Sequence, residues 1–303
     1  MKLTEWELPR GVLFDLFQTL VLPMAAAERE AVVHSMGLDE RTPGYWEARA
    51  GMAEGLLLAA AGKEGASAHR VLLTRTLPSF AAMWTAIGGE AGATQPPGIL
   101  PRTEALFDAF FKGCRLDPGA KELLEELRAR GVRLGLVSNA HSLWVPIVEA
   151  LGLERYFPEP VFSCQEACCK PAPALFQKAL QQMGLAPEEV WMVGDTWTSD
   201  VIGSLKLGMK PVWVDRGEDL IAAAISAGAV GQLLERDAGG FWTLAAEGQR
   251  TLTPYFPTEL PALLEELNGA PAAGSSTLES LEGVLRVASL RALSQQLGYG
   301  AVP

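Results

Sequence analysis

No stretch of the 303 residues stays apolar for the ~18 positions that a membrane-crossing helix requires. The longest candidate, around 220–231, is alanine-rich and broken by Ser226. A secretory leader is not visible either. Met1-Lys2-Leu3-Thr4-Glu5-Trp6-Glu7 carries acids where a leader has basic residues followed by an apolar run, so the expectation is a cytoplasmic protein. Basic residues are in deficit: 25 Lys and Arg stand against 36 Asp and Glu, a net charge of −11. Sequence-independent nucleic-acid binding depends on clustered Lys and Arg, so neither nucleic acid nor an anionic membrane surface is an expected partner. Cysteine is scarce. Cys164, Cys168 and Cys169 cluster, with Cys114 apart, but the spacing lacks the paired C-x-x-C blocks of structural zinc sites, and reduced thiols are expected.

The chain is 49% hydrophobic and 20% charged, which permits a sizeable core and argues against general disorder. Its length exceeds one average domain. Two regimes alternate along it. Residues 1–21 give one strand. Residues 22–118 place Ala, Leu, Glu and Arg at helical spacing over 25–36, 46–61, 68–87 and 103–112, with no clear period-two strand. They read as a helical insert punctuated by Gly88-Gly89 and Gln95-Pro96-Pro97-Gly98. From Asp117-Pro118-Gly119 helix and strand alternate: helices over 120–130, 143–151, 172–183 and 200–207, strands over 132–137, 160–163, 190–193 and 211–214. Such alternation argues for a parallel, doubly wound α/β sheet.

Residues 253–267 read as the last strand and helix of that core, which makes 217–250 an insertion within it. Residues 269–276 are a Gly-, Ala-, Pro- and Ser-rich linker. Residues 277–297 read as one further amphipathic helix, for packing or self-association into a homo-oligomer. The expected partition is therefore a core over 1–21 and 119–268, a helical unit over 22–118, and a linker and C-terminal helix over 269–303.

Polar residues punctuate the core at telling places. Asp15 ends the apolar run Gly11-Val12-Leu13-Phe14 and opens Asp15-Leu16-Phe17-Gln18-Thr19-Leu20. Ser138-Asn139 follows Leu134-Gly135-Leu136-Val137. Lys170-Pro171 precedes a helix, and Gly194-Asp195 is followed by Asp200. Open parallel sheets bind ligands beyond the carboxyl ends of their strands, so these groups collect at one edge. A carboxylate, a hydroxyl, a lysine and a pair of acids there can hold a metal and a phosphate.

These four motifs and their order resemble the haloacid dehalogenase superfamily of hydrolases, most of which are phosphatases. The resemblance covers roughly residues 10–215 and implies a Rossmann-like core with the insert as a cap. It implies that Asp15 is the nucleophile, forming an aspartyl-phosphate. Thr19 and Ser138 each bind a phosphoryl oxygen or fix the local turn, and Lys170 neutralises charge on the nucleophile and the transferred group. Asn139 and His141 are expected to touch the substrate, a small phosphorylated molecule. Mg²⁺ is expected at Asp15, the Phe17 carbonyl and Asp195, with Asp200 as a further ligand or an orienting group. Each residue also has a plainer reading: a turn aspartate for Asp15, a helix cap for Ser138 and Asp200, a helix-surface position for His141.

One residue departs from the pattern. Superfamily phosphatases carry a second aspartate two positions after the nucleophile, acting as general acid and base; here Phe17 stands there. General acid catalysis commonly contributes ~10²–10⁴ in rate, so alkyl phosphates should be poor substrates unless a group such as His141 substitutes. Haloacid dehalogenases also have an aromatic there, but they need no Mg²⁺ and lack the first acid of the Asp195/Asp200 pair. Phosphoryl chemistry is therefore favoured. Two readings stay open: a dehalogenase, and a binding protein with Trp46 and Trp84 on a partner surface.

Overall fold

The computed structural model describes residues 7–63, 66–88, 94–215, 234–236, 242–244 and 284–297. The first strand, β1 (Gly11–Phe14), is buried at all four positions. After it come β2 (Val21–Leu22) and six helices: α1 (Ala26–Ser35), α2 (Tyr45–Arg49), α3 (Gly55–Ala60), α4 (Ala66–Leu73), α5 (Phe80–Gly88) and α6 (Ile99–Gly113). β3 (Arg115–Leu116) then pairs antiparallel with β2, so the chain returns beside the point where it left. The alternating part follows as α7 (Ala120–Ala129), β4 (Arg133–Ser138), α8 (Ile147–Ala150), β5 (Val161–Phe162), α9 (Ser163–Glu166), α10 (Pro173–Met183), β6 (Val190–Gly194), α11 (Gly203–Leu205) and β7 (Lys210–Val214). Two short strands, β8 (Leu234–Arg236) and β9 (Trp242–Leu244), pair antiparallel with each other. The described chain closes with β10 (Leu285–Val287) and α12 (Leu290–Gln296).

Six strands form one sheet in the order β10-β7-β6-β1-β4-β5, and every pairing is parallel. Parallel sheets are covered on both faces, which is why β1 and β6 read as unbroken apolar runs. Val12 and Phe14 face one layer, built from Leu123, Leu124 and Leu127 of α7 with Leu290 and Leu293 of α12. Leu13 faces the other, where Leu175, Phe176 and Ala179 of α10 cover it. This is a doubly wound α/β core. β1 lies between β4 and β6, so the strand order reverses at its carboxyl end, the position where such sheets open a ligand crevice.

Local signals account for the element ends. In α7 the leucines are buried while Lys121 and Glu122 are exposed, and Gly131 with φ 76° stops the helix. Proline opens α10 and Gly184 closes it. The helices between β2 and β3 have their own core, including Val33, Tyr45, Leu57, Met83 and Leu106. Trp84 is part of it and so a core residue rather than a partner surface, while Trp46 is half-buried and packs against it. No helix among the described residues is long and apolar enough to cross a membrane.

Two expectations need correction. The stretch 277–297 is not one helix: Leu285–Val287 pairs parallel with β7 as a sheet strand, and only Leu290–Gln296 is helical. Leu285 and Val287 point inward with Arg286 between them, a period of two too short to stand out from helical spacing. Ser289 then caps the helix, its side chain accepting from the Ala292 amide. The helix expected over 200–207 starts earlier, as a π-helical turn over Trp197–Ile202 that runs into α11. The strand and helix expected over 253–267, the linker over 269–276 and most of 217–250 lie outside the described residues.

Candidate active site

Asp15, Ser138 and Asp195 stand at or just beyond the ends of the neighbouring strands β1, β4 and β6. Lys170 reaches the same edge from the loop between α9 and α10. Its ammonium donates to Asp15 Oδ1 at 2.6 Å, to Asp200 Oδ1 at 2.7 Å and to the Val137 carbonyl at 3.0 Å. It is only 2% exposed. Asp15, Asp195 and Asp200 each offer a carboxylate oxygen, all within 4.8 Å of one another. The Thr19 hydroxyl donates to Asp195 Oδ1 at 3.2 Å, and the Asp195 carbonyl accepts from Trp213 Nε1 at 2.9 Å.

Backbone detail brings these groups together. Gly194 ends β6 because a Cβ there would collide with the Asp200 carboxylate. The π-helical turn carries Asp200 inward, where its Oδ2 also accepts from the Thr196 amide at 3.0 Å. Asp200 is therefore not a helix N-cap; it fixes the loop that begins at Asp195. π-Helical turns of this kind are frequent at functional sites. After Asp15 the chain folds back tightly, with the Val21 amide donating to the Leu16 carbonyl at 2.8 Å, and this turn holds Phe17 and Thr19.

Burial governs the charges. It pushes the Asp15 carboxyl up to about 6; Lys170 opposes this and Asp200 adds to it. For Lys170, burial pulls the pKa down, but Asp15 and Asp200 outweigh it and hold the ammonium above its ordinary value. Lys170 is therefore a permanent cation between two acids.

Four other expected residues sit as follows. Ser138 is buried at the end of β4. Asn139, expected to contact substrate, directs its side-chain amide to the Lys170 backbone at both ends. His141 is not on a helix surface. It is 2% exposed, with its ring 5.8 Å from that of Phe107 and 6.1 Å from that of Trp144. Phe17 is half-buried, and its ring meets Trp144 edge-on at 5.0 Å. Sequence reasoning missed Glu54, which lies just before α3 and approaches His141, and also the anchoring role of Trp144. Neither residue stands in a motif, and only the fold brings them to the motif loops.

A doubly wound sheet thus gathers an aspartate, a buried lysine and an acidic pair at its switch point, where enzymes of this architecture place their sites. The haloacid dehalogenase-like hydrolase family model matches residues 9–208, and the chain belongs to that family. Phosphoserine phosphatase of Thermus thermophilus is 39% identical over 128 residues, covering 40% of this chain and 50% of that protein. Glyceraldehyde 3-phosphate phosphatase of Pyrococcus abyssi is 36% identical over 116 residues, covering 38% and 48%. Human haloacid dehalogenase-like hydrolase domain-containing protein 3 is 32% identical over 121 residues, covering 39% and 48%. The chain thus spans about half the length of the curated relatives it matches. A solved HAD phosphatase from Thermococcus onnurineus aligns over 96% of this chain and 99% of that one, at 17% identity and a TM-score of 0.49.

Proposed function

We propose that the protein is a Mg²⁺-dependent phosphatase that forms an aspartyl-phosphate on Asp15 and acts on a small phosphorylated metabolite. The observation that carries this reading is the meeting of Asp15, Asp195 and Asp200 within 4.8 Å of one another, with Lys170 paired to Asp15 and Asp200. Three carboxylates against one ammonium leave an excess of negative charge where a phosphate would have to enter. The donor set fits Mg²⁺, a hard cation held by one or two carboxylates with water and phosphate. Asp15, the Phe17 carbonyl and Asp195 would hold the ion, with Asp200 supporting; bound there, it would offset the acids and polarise the phosphoryl oxygens. Relatives named as phosphatases support the reaction class, although their substrates do not carry over.

In the first step an Asp15 oxygen attacks phosphorus, and the bond to the leaving oxygen breaks. In the second, water attacks phosphorus and frees both phosphate and Asp15. Lys170 keeps Asp15 ionised and balances charge on the transferred group. Ser138 would present its hydroxyl to it, while the Thr19 hydroxyl donates to Asp195 and orients that acid. The helical unit over 22–118 serves as a cap that excludes water. Phe17 has no proton to give, and His141 is packed away among rings. On this reading the leaving oxygen departs largely as an anion, which favours aryl or acyl phosphates. A cytoplasmic setting belongs to this reading.

The aromatic at Phe17 also suits a dehalogenase, whose halide leaves without a proton. The first acid of the pair, Asp195, speaks against it. An assay with and without Mg²⁺ on an aryl phosphate, a small alkyl phosphate and a 2-haloacid decides among the readings. Mg²⁺-dependent phosphate release, fastest from the aryl ester, is expected. Mg²⁺-independent halide release would overturn it, and no turnover of any substrate would point to a binding role.

A further inference from the structure

The loop that carries Ser138 and Asn139 is also where the helical unit meets the core. His141 Nε2 lies 3.6 Å from Glu54 Oε2, and the two side chains are 2% and 7% exposed. Neither imidazole nitrogen, nor Glu54 Oε2, has a partner within 3.5 Å hydrogen-bond distance among the described residues. Polar groups this deep are costly unless paired, and a carboxylate most of all. Each therefore supplies what the other needs. Two neighbouring contacts join the same surfaces: Ser142 Oγ accepts from the Leu77 amide at 2.8 Å, and Thr76 Oγ1 donates to the Cys164 carbonyl at 3.1 Å. Trp144 completes the seat, meeting Phe107 of α6 at 4.7 Å and Phe17 at 5.0 Å.

We infer that Glu54 and His141 form a carboxylate–imidazole latch that seats the helical unit on the loop over 138–144, making Glu54 a positioning residue for the candidate site. Its kinetic consequence rests on the phosphatase reading; its structural one does not. The groups acting on the latch are few. Burial raises the Glu54 carboxyl, but His141 and then His69 of α4 outweigh it and hold it below its ordinary value. Burial pulls His69 below its own ordinary value, with Glu54 opposing and His141 adding. Phe107 and Trp144 present only rings. A carboxylate kept ionised in an aromatic surround draws the imidazole, and with it the loop bearing Ser138 and Asn139, toward the helices.

The test compares the full chain with Glu54→Gln, His141→Gln, the double variant and Glu54→Asp. Amide hydrogen exchange over 140–145 should quicken about tenfold in either single variant. The melting temperature should fall in each, and the double variant should fall by less than the sum, because removing both partners leaves no orphaned group. On an aryl phosphate, KM should rise about tenfold, more than kcat falls, since a smaller fraction of molecules holds the seated arrangement. Glu54→Asp should lie between. Unchanged exchange with additive melting shifts would overturn the latch. So would a loss confined to kcat, which would put His141 in the chemistry itself. Should the wild type turn over no phosphate ester, the phosphatase reading falls, and exchange and melting still decide the latch.

Discussion

Asn139 grips Lys170 by its backbone: Oδ1 accepts from the Lys170 amide at 2.8 Å while Nδ2 donates to the Lys170 carbonyl at 3.0 Å. The Val137 carbonyl takes the same lysine's ammonium at 3.0 Å. The end of β4 therefore holds, at three points, a residue that belongs to no strand or helix. Asn139→Ala should let Lys170 drift and lower kcat/KM for an aryl phosphate by about 10- to 100-fold, the scale of small mispositioning. Asn139→Asp, which keeps the acceptor but loses the donor, should fall between. Steady-state kinetics beside a melting curve makes the check; wild-type activity in Asn139→Ala would show that the clamp does not matter.

Asp195 takes the Thr19 hydroxyl and stands with Asp15 and Asp200 in the acidic cluster. Calorimetric titration of Mg²⁺ into the wild type should show binding that weakens at least tenfold in Asp195→Asn, because an amide carries no charge. Equal affinity in both would remove Asp195 from the metal site.

Phe17 should impose a steep dependence of kcat/KM on leaving-group pKa, with aryl phosphates far ahead of alkyl ones. Phe17→Asp should flatten the series by supplying an acid worth up to about 10²–10⁴ on poor leaving groups. It should also lower stability, since the ring it removes packs edge-on against Trp144. A flat series in the wild type would mean that another group donates the proton.

Burial raises the Cys114 thiol to about 11, with Arg115 and Arg29 only partly opposing. The thiolate is the reactive form, so at pH 8 only about one Cys114 in 10³ is primed to react. Alkylation followed by peptide mass spectrometry should show slow labelling of Cys114 at pH 8, rising about tenfold per pH unit towards 11. Rapid labelling at pH 7 would contradict this.

Much of the core was legible because its signals are local. The run Gly11–Phe14 and the motif residues Asp15, Ser138 and Asp195 announce strand ends directly, and Gly131 marks the end of α7. Leu285 and Val287 were misread because three residues cannot display a period, and their strand status depends on β7 lying beside them. The exchange between Asn139 and Lys170 was invisible for a related reason: an asparagine after a motif serine looks the same facing substrate or backbone. Glu54 carries no signal in sequence. Its partner His141 is far away along the chain and meets it only after two cores, one of helices and one around the sheet, have packed together at Phe111 and Trp144.

The antiparallel pairing of β2 with β3 bears on how the chain folds. Gly11 of β1 must find Arg133 on one side and Val190 on the other, and contacts so distant in sequence are slow to form because a long loop must first close. Once Val21 sits against Leu116, the whole helical segment is tied off at its neck. The span that β1 must then close to reach β4 shrinks to a short remainder. The pairing of β1 with β4, remote along the chain, thus becomes a nearly local contact wherever the neck is closed.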